Sequence, residues 1–240
     1  MSARHIPLAA LAAVLLASAL CPAEAAAQTS PWTLEGTAGV VSDYRYRGYS
    51  LSGGDPAVQG GLTLTHASGF YGDVYLSSIE EYGPGADGDG AELEVTVTGG
   101  WVGAIAGFDV DAGISAYQYP DGSDVNYVEI PAQVGRTFGP WTWTVGAAYA
   151  PEQSALGDED NRYVWGGADF APETWPLSLG ATVGYEDGAY APGGKTDWLI
   201  GASAPLGPVV IGLSWVDSDA DEGAVVASLS LALMAASMRR

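Results

Sequence analysis

Apolar and polar side chains alternate with a period of two along almost the whole chain. In the clearest run, residues 141–149, the odd positions are aromatic or apolar and the even positions are Thr, Gly or Ala. This period places the two sets on opposite faces of a β-strand. No ten-residue window has a convincing helical period. The pattern predicts an all-β protein of about twelve strands, with 10 or 14 as alternatives, at 33–42, 56–66, 70–79, 91–102, 107–118, 126–137, 140–150, 162–170, 177–186, 196–204, 208–217 and 223–234.

The connections between these segments alternate in length and charge. One set is short and nearly uncharged: 67–69, 103–106, 138–139, 171–176 and 205–207. The other set is longer and acidic: 80–90, 119–125, 151–161, 187–195 and 217–222. An up-and-down membrane barrel has short turns at one end and long loops at the other, whereas a soluble β-sandwich has no reason to sort its connections this way. We therefore expect a transmembrane antiparallel up-and-down β-barrel.

The charges within the strands follow one parity. Carboxylates facing lipid are costly, so acidic positions should face the barrel interior and apolar ones the lipid. A one-sided soluble sheet also alternates, but the polar parity here is rich in Gly and Thr and lacks Lys. Trp141 and Tyr149 share the lipid parity and are spaced for two interfacial girdles. The inner parity also carries glycines that we expect to leave space in the lumen: Gly39, Gly61, Gly113, Gly180, Gly184 and Gly212.

The N-terminus predicts export. Residues 7–20 form an apolar run of signal-peptide length, too short to span a bilayer as a helix, which needs about 20 residues, and residues 25–27 form an A-x-A cleavage site. Cleavage after Ala27 makes 1–27 a signal peptide and 28–240 a single barrel domain. A lipoprotein is the alternative because of Cys21, but Leu20 precedes it where a small residue is expected. The expected location is the outer membrane of a Gram-negative bacterium.

The formal net charge of −21 argues against nucleic-acid binding, which needs Lys and Arg to neutralise phosphates. The expected partners are outer-membrane lipid and lipopolysaccharide, the barrel-assembly machinery and small solutes, with a homo-oligomer possible. The chain ends in Met238-Arg239-Arg240, whereas many outer-membrane barrels end in an aromatic residue used in assembly. We expect no cofactor.

A motif near the N-terminus is similar to that of the TorF family of predicted porins. That family shares an S-x-Y-x-x-R-G-x-S start and a P-A-V-Q-G continuation. The matching residues here are Ser42, Tyr44, Arg47, Gly48, Ser50, Pro56, Ala57, Val58, Gln59 and Gly60. Weaker matches follow at 109–113, 117–122 and 127–130, so that the resemblance covers roughly 34–217. The resemblance implies an outer-membrane barrel acting as a porin and supplies no catalytic or binding residues.

The candidate pore-lining residues are charged or polar and lie on the inner parity or in the motif: Arg45, Arg47, Gln59, Glu92, Glu94, Asp109, Asp111 and Glu129. Two interpretations of Arg45 and Arg47 stay open. Paired with lumen acids across a narrow pore, they would create a transverse field that filters ions. Alternatively, Arg47 fixes the first loop through hydrogen bonds to backbone carbonyls.

Two other sites receive weaker support. Asp217, Asp219 and Asp221 resemble the opening of a calcium loop, but Glu222 and Ser228 occupy the places where such a loop needs Gly and Glu. A solvated acidic loop is favoured, so no metal is expected. His66 is the one histidine of the mature chain; a turn histidine is favoured over a catalytic base with Ser68, and an enzyme is not expected.

Together these patterns predict a porin-like channel for passive diffusion of small cationic or neutral solutes. The alternatives are a non-conducting structural or adhesion barrel, whose loops plug the lumen, and an outer-membrane lipid-modifying enzyme.

Overall fold

The computed structural model describes residues 30–84 and 90–233, and twelve of their strands form a closed antiparallel barrel. The first barrel strand pairs with both its sequence neighbour and the last strand, which closes the sheet. The prediction of a twelve-stranded barrel is therefore confirmed. The barrel strands are β1 (Trp32–Val41), β4 (Ala57–His66), β5 (Phe70–Tyr82), β6 (Ala91–Ile105), β7 (Phe108–Gln118), β8 (Tyr127–Phe138), β9 (Trp141–Gln153), β10 (Glu159–Phe170), β11 (Ser178–Gly188), β12 (Ala191–Leu206), β13 (Val209–Ser218) and β14 (Ala224–Leu233). Two short strands, β2 (Arg45–Tyr46) and β3 (Tyr49–Ser50), pair with each other as a separate two-stranded sheet.

The outer surface of the barrel is apolar. Val97, Ile114 and Ile130 are each about half exposed, while neighbours of opposite parity such as Thr98 and Ser115 are buried inside. Exposed aliphatic side chains are costly in water and favourable in hydrocarbon. The alternation of residue types therefore produces an apolar outer face and a polar inner face.

Aromatic residues ring this apolar face at two levels. Near the short-turn end, Trp141 packs against Phe170, with ring centroids 4.6 Å apart, and Phe170 contacts Trp175 edge-on at 5.7 Å. Nearer the long-loop end the exposed aromatics are Tyr149, Tyr185, Trp198 and Trp215. This arrangement matches the two interfacial girdles of membrane barrels.

The expected loop at 187–195 is wrong. Strand β11 continues to Gly188 and β12 begins at Ala191, leaving only a two-residue turn. Gly193 and Gly194 both have positive φ and form a bulge where the register shifts, which places Lys195 directly opposite Glu186. Glycine adopts such angles without steric cost, so a stretch that resembles a loop in sequence is part of the sheet.

The expectation that inner glycines leave open space is also wrong in part. Of the six glycines, Gly184 faces the ring of Tyr163, with which a Cβ would collide; Gly146, which was not among the six, faces Trp165 in the same way. These two glycines therefore accommodate aromatic rings from the neighbouring strand, which occupy part of the lumen.

Within the described part of the chain, no helix is long and apolar enough to cross a membrane. The predicted signal peptide at 1–27 and the C-terminal residues 234–240 lie outside the described residues.

Candidate functional site

The connection from β1 to β4 folds into the barrel; we call residues 42–56 the lumen hairpin. Its strands β2 and β3 are joined by Arg47 and Gly48, which have φ of 49° and 86°. Two positive φ values define the type I′ turn, which matches the twist of a hairpin. Glycine is required at position 48 for a second reason, because a Cβ there would lie 2.6 Å from the Cβ of Ser218 in the barrel wall.

The side chain of Arg47 joins two strands of the barrel wall, β8 and β11, that lie three places apart in the closed sheet. Its Nη2 lies 2.8 Å from both carboxylate oxygens of Glu129 on β8, and its Nη1 lies 2.8 Å from Oε1 of Glu186 on β11. Lys195 on β12 completes the cluster, with Nζ 2.8 Å from Oε2 of Glu186 and a second bond donated to the carbonyl of Arg47. The four side chains are at most 8% exposed. Two cations and two carboxylates therefore neutralise one another inside the barrel.

Aromatic faces complete the environment of the guanidinium. Its Cζ lies 4.3 Å from the ring centroid of Tyr163 and 4.7 Å from that of Tyr46, both within cation–π range. Burial alone would lower the pKa of Arg47, but Tyr46 and the carboxylates of Glu129 and Glu186 outweigh it and raise the pKa well above its usual value. Arg47 therefore carries its positive charge in the barrel. Its backbone has a positive φ, which is strained for a residue other than glycine, and the ion pairs with Glu129 and Glu186 offset this strain.

Tyrosine hydroxyls anchor the hairpin to other strands. Tyr44 donates to Oε1 of Glu94 on β6 at 2.9 Å, and Tyr119 donates to Oε2 of the same carboxylate at 3.1 Å. The hydroxyls of Tyr46 and Tyr117 lie 2.9 Å apart. The hairpin is thus bonded to the barrel on several sides.

Arg45 braces the hairpin from within. Its Nε donates to Asp43 at 2.6 Å, and its Nη1 donates to the backbone carbonyls of Gly48 and Glu222. The side chain of Arg47 pairs with the lumen acids Glu129 and Glu186. The bonds to backbone carbonyls that were the alternative for Arg47 are made by Arg45 instead.

Two cavities lie on either side of Tyr46 and Arg47, which line both. The cavity toward the long-loop end has a volume of about 380 Å³, and the one toward the barrel centre about 80 Å³. Glu129, Glu186 and Lys195, which an open channel would wet, are at most 2% exposed. In this structure the hairpin closes the lumen at this level.

The other predicted pore-lining residues are distributed along the barrel. Glu94 joins the hairpin through Tyr44, as described above. Asp111 accepts hydrogen bonds from Tyr71 at 2.9 Å and from Gln133 at 3.4 Å. Gln59 is buried and donates to Ser77. The last two predicted pore-lining residues are not buried in the lumen. Glu92 is exposed at the long-loop end of β6, where the register with β5 shifts, and Asp109 is exposed near the short-turn end of β7.

The residues of the N-terminal motif lie partly in the lumen hairpin and partly in β4. Ser42, Tyr44, Arg47, Gly48 and Ser50 lie in the hairpin. Pro56 ends the hairpin, and residues 57–60 begin β4, where Ala57 and Gln59 are buried and Val58 is 66% exposed on the apolar face.

Sequence reasoning missed Glu186, Lys195 and Tyr163. The inner parity of β11 includes position 186, so its alternation could have identified Glu186. Lys195 was not predicted because Gly193 and Gly194, directly before it, made the segment resemble a loop.

The carboxylates at the end of β13 and in the loop after it accept hydrogen bonds from different backbone amides and do not converge on one point. Asp217 accepts from the amide of Ser218, Asp219 from that of Thr196, and Asp221 from that of Ser50. Across residues 30–84 and 90–233, no group of three or more His, Cys, Asp or Glu side chains is arranged to hold a metal.

His66 is the last residue of β4, directly before the short turn to β5. Its Nδ1 is 2.7 Å from Oγ of Ser68 and accepts from the Ser68 amide at 3.1 Å. Both bonds are exposed and local to the turn, and the ring packs edge-on against Trp32. This environment stabilises the turn.

Solved structures with a similar fold are outer-membrane porins and channels. The KdgM porin in complex with disordered oligogalacturonate has a TM-score of 0.54 at 10% identity, covering 83% of this chain and 97% of that one. The NanC porin has a TM-score of 0.50 at 8% identity, covering 84% and 98%. An outer-membrane channel from Pseudomonas putida F1 has a TM-score of 0.50 at 11% identity, covering 91% and 100%. Identities this low show the shared barrel fold alone.

None of the curated proteins matches the chain in sequence. The more specific resemblance, to the TorF family, stays a prediction. A family model described as "Bacterial protein of unknown function (Gcw_chp)" matches residues 25–237, and the chain therefore belongs to this bacterial family.

Proposed function

We propose that this protein is a porin-like channel of the outer membrane that admits small cationic or neutral solutes, with the lumen hairpin as its constriction. The observation that carries the proposal is the Arg47–Glu129–Glu186–Lys195 cluster inside a closed twelve-stranded barrel. Charged residues at the narrowest level of a barrel are the usual means by which pores select ions.

The charge of the lumen supports a preference for cations. The side chains that are buried inside the barrel include seven carboxylates and three cations: Asp43, Asp73, Glu94, Asp111, Glu129, Glu186 and Asp197 against Arg45, Arg47 and Lys195. The three cations are each paired with acids, so an excess of carboxylate groups remains. An anionic solute entering this lumen would meet unfavourable electrostatics.

Conduction requires the hairpin to yield, because in its present position it separates the two cavities. Purified protein in a planar bilayer tests the proposal. We expect discrete openings of the wild type with cation selectivity under a salt gradient, and larger or longer openings when the arginine cluster is weakened. Clear anion selectivity would overturn the solute preference.

A non-conducting structural barrel is the second candidate, and the burial of the arginine cluster favours it. The same recordings distinguish the two. If neither the wild type nor the Arg47→Ala variant conducts, while both fold as barrels, the channel proposal fails and the structural barrel replaces it.

The proposed channel would also have the location and partners expected of an outer-membrane barrel. An exported outer-membrane barrel would contact lipopolysaccharide, be inserted by the barrel-assembly machinery, and could associate with copies of itself. The enzymatic alternative has no support from the local turn contacts of His66. Fractionation of outer membranes tests the location.

A further inference from the structure

The larger cavity, which we call the outer vestibule, lies above the lumen hairpin and has a volume of about 380 Å³. Small-molecule sites commonly span about 300–1,000 Å³. Six tyrosines dominate its lining: Tyr46, Tyr49, Tyr82, Tyr119, Tyr127 and Tyr190. Leu51 and Ile79 add aliphatic surface, so that the walls are mostly apolar ring and methyl surface.

The rings of the vestibule are held in place by one another. Tyr82 and Tyr119 pack with centroids 4.7 Å apart, and Tyr127 meets Tyr190 edge-on at 5.4 Å. Such pairs fix ring orientation at little entropic cost. The vestibule is therefore preorganised, with fixed π faces.

The charge of the vestibule is negative. Arg47 and Glu186, which both line the cavity, form an ion pair with each other. Glu80 and Glu81 line the same cavity, are exposed, and form no ion pair within residues 30–84 and 90–233. Two carboxylates at the solvent side of an aromatic cavity therefore stand without a counter-charge from the described chain.

Two tyrosines of this cavity, Tyr46 and Tyr49, already contact cationic side chains of the protein. Arg47 stacks on Tyr46, and Nζ of Lys195 lies 4.0 Å from the ring centroid of Tyr49. Aromatic cages use this same interaction to bind ammonium groups of ligands. Tyr190 completes the aromatic lining of this cavity.

We propose that the outer vestibule binds an organic monocation, with the ammonium group near Glu80 and Glu81 and an apolar or aromatic body against the tyrosine rings. This site rests on the proposed function only in that solutes are taken to enter from the long-loop end. Binding itself does not require the hairpin to open, so it can be measured apart from conduction.

Three probes with the same ring and different charge test the proposal: phenethylammonium, 2-phenylethanol and phenylacetate. Binding to the full barrel in non-ionic detergent is measured by titration calorimetry. We expect phenethylammonium to bind at least roughly fivefold more tightly than the alcohol, and phenylacetate the most weakly.

The double variant Glu80→Gln/Glu81→Gln should weaken phenethylammonium binding roughly fivefold and leave 2-phenylethanol unchanged. The matched control, Glu152→Gln/Glu159→Gln, removes two exposed carboxylates at the same end of the barrel that do not line the vestibule. It should leave both affinities unchanged. Tyr82→Leu, which keeps apolar volume but removes a ring, should weaken the cation roughly two- to fivefold and the alcohol less.

Equal affinity for the three probes, or equal loss in the two double variants, would overturn the vestibule site. That result would leave the channel proposal standing, since the latter is judged by conductance. Conversely, charge-dependent binding in a barrel that never conducts would support the site and refute the channel.

Discussion

Nη2 of Arg47 lies 2.8 Å from both carboxylate oxygens of Glu129, although the two residues are 82 positions apart in the sequence. A guanidinium and a carboxylate held this way inside a barrel are expensive to separate, since removing one partner leaves a buried charge without compensation. We therefore expect the pair to affect both the stability of the barrel and the width of its lumen.

Arg47→Ala should open the lumen. Arg47 lines both cavities, so truncation at the β-carbon would join them and leave Glu129 without its cation. We expect larger single-channel conductance in planar bilayers, together with a loss of about 3–5 kcal/mol in unfolding free energy. The control is Arg162→Ala, because Arg162 also pairs with an aspartate but its side chain is 65% exposed. An unchanged conductance in Arg47→Ala would show that the hairpin stays in place without its arginine.

A double-mutant cycle should detect the pair directly. Arg47→Met and Glu129→Gln, alone and together, should give a coupling energy of about 1–3 kcal/mol in denaturant unfolding from vesicles. The same cycle between Arg47 and Glu94, which do not contact each other, should give a smaller value. Equal coupling in both cycles would mean that the variants act through a general loosening of the barrel.

Gly48→Ala should displace the hairpin tip. The substitution places a Cβ at positive φ and 2.6 Å from the Cβ of Ser218. Gly54→Ala is a close control, because Gly54 also has positive φ, at 82°, but a Cβ there would meet nothing within 4 Å. Backbone strain of about 1–3 kcal/mol is common to both. We expect protease cleavage within the hairpin to increase in Gly48→Ala well beyond Gly54→Ala; equal cleavage would remove the role of the wall contact.

Gly184→Ala should weaken the packing around Arg47 indirectly, by displacing the ring of Tyr163. The new methyl group would occupy the position of the Tyr163 ring, which covers the guanidinium. A lower melting temperature and a higher conductance are expected. Gly72→Ala, where a Cβ meets nothing within 4 Å, is the matched control and should change neither.

The mature protein should begin at Gln28. Intact mass spectrometry of protein from outer membranes checks this prediction. A mature chain that begins with a lipid-modified Cys21 would instead establish the lipoprotein alternative.

The barrel was predictable because its pattern is local. In a membrane barrel every second side chain of a strand faces lipid and must be apolar. The alternation around Ile114 and Ile130 therefore predicts membrane strands without any knowledge of long-range contacts. The strand count and the inner position of Glu129 follow from the same rule.

The hairpin was not predictable in this way, because its contacts join residues far apart in sequence. Arg47 meets Glu186 across 139 positions, and no periodic rule connects a loop to an opposite wall. The bulge at Gly193 and Gly194 had the composition of a loop, which concealed Lys195. Glycine counts alone likewise did not reveal that Tyr163 and Trp165 occupy the space those glycines leave.

The reach of Arg45 has a consequence for the order of folding. Its bond to the carbonyl of Glu222 joins residues 177 positions apart, and the neighbouring Arg47 bonds residues on strands from the middle and late parts of the chain. Contacts with such separations carry a large loop-closure entropy, so we expect them to form after the strands between them have paired. We therefore expect the N-terminal motif, although it is synthesised early, to take its native position late, once the strands that it contacts have assembled.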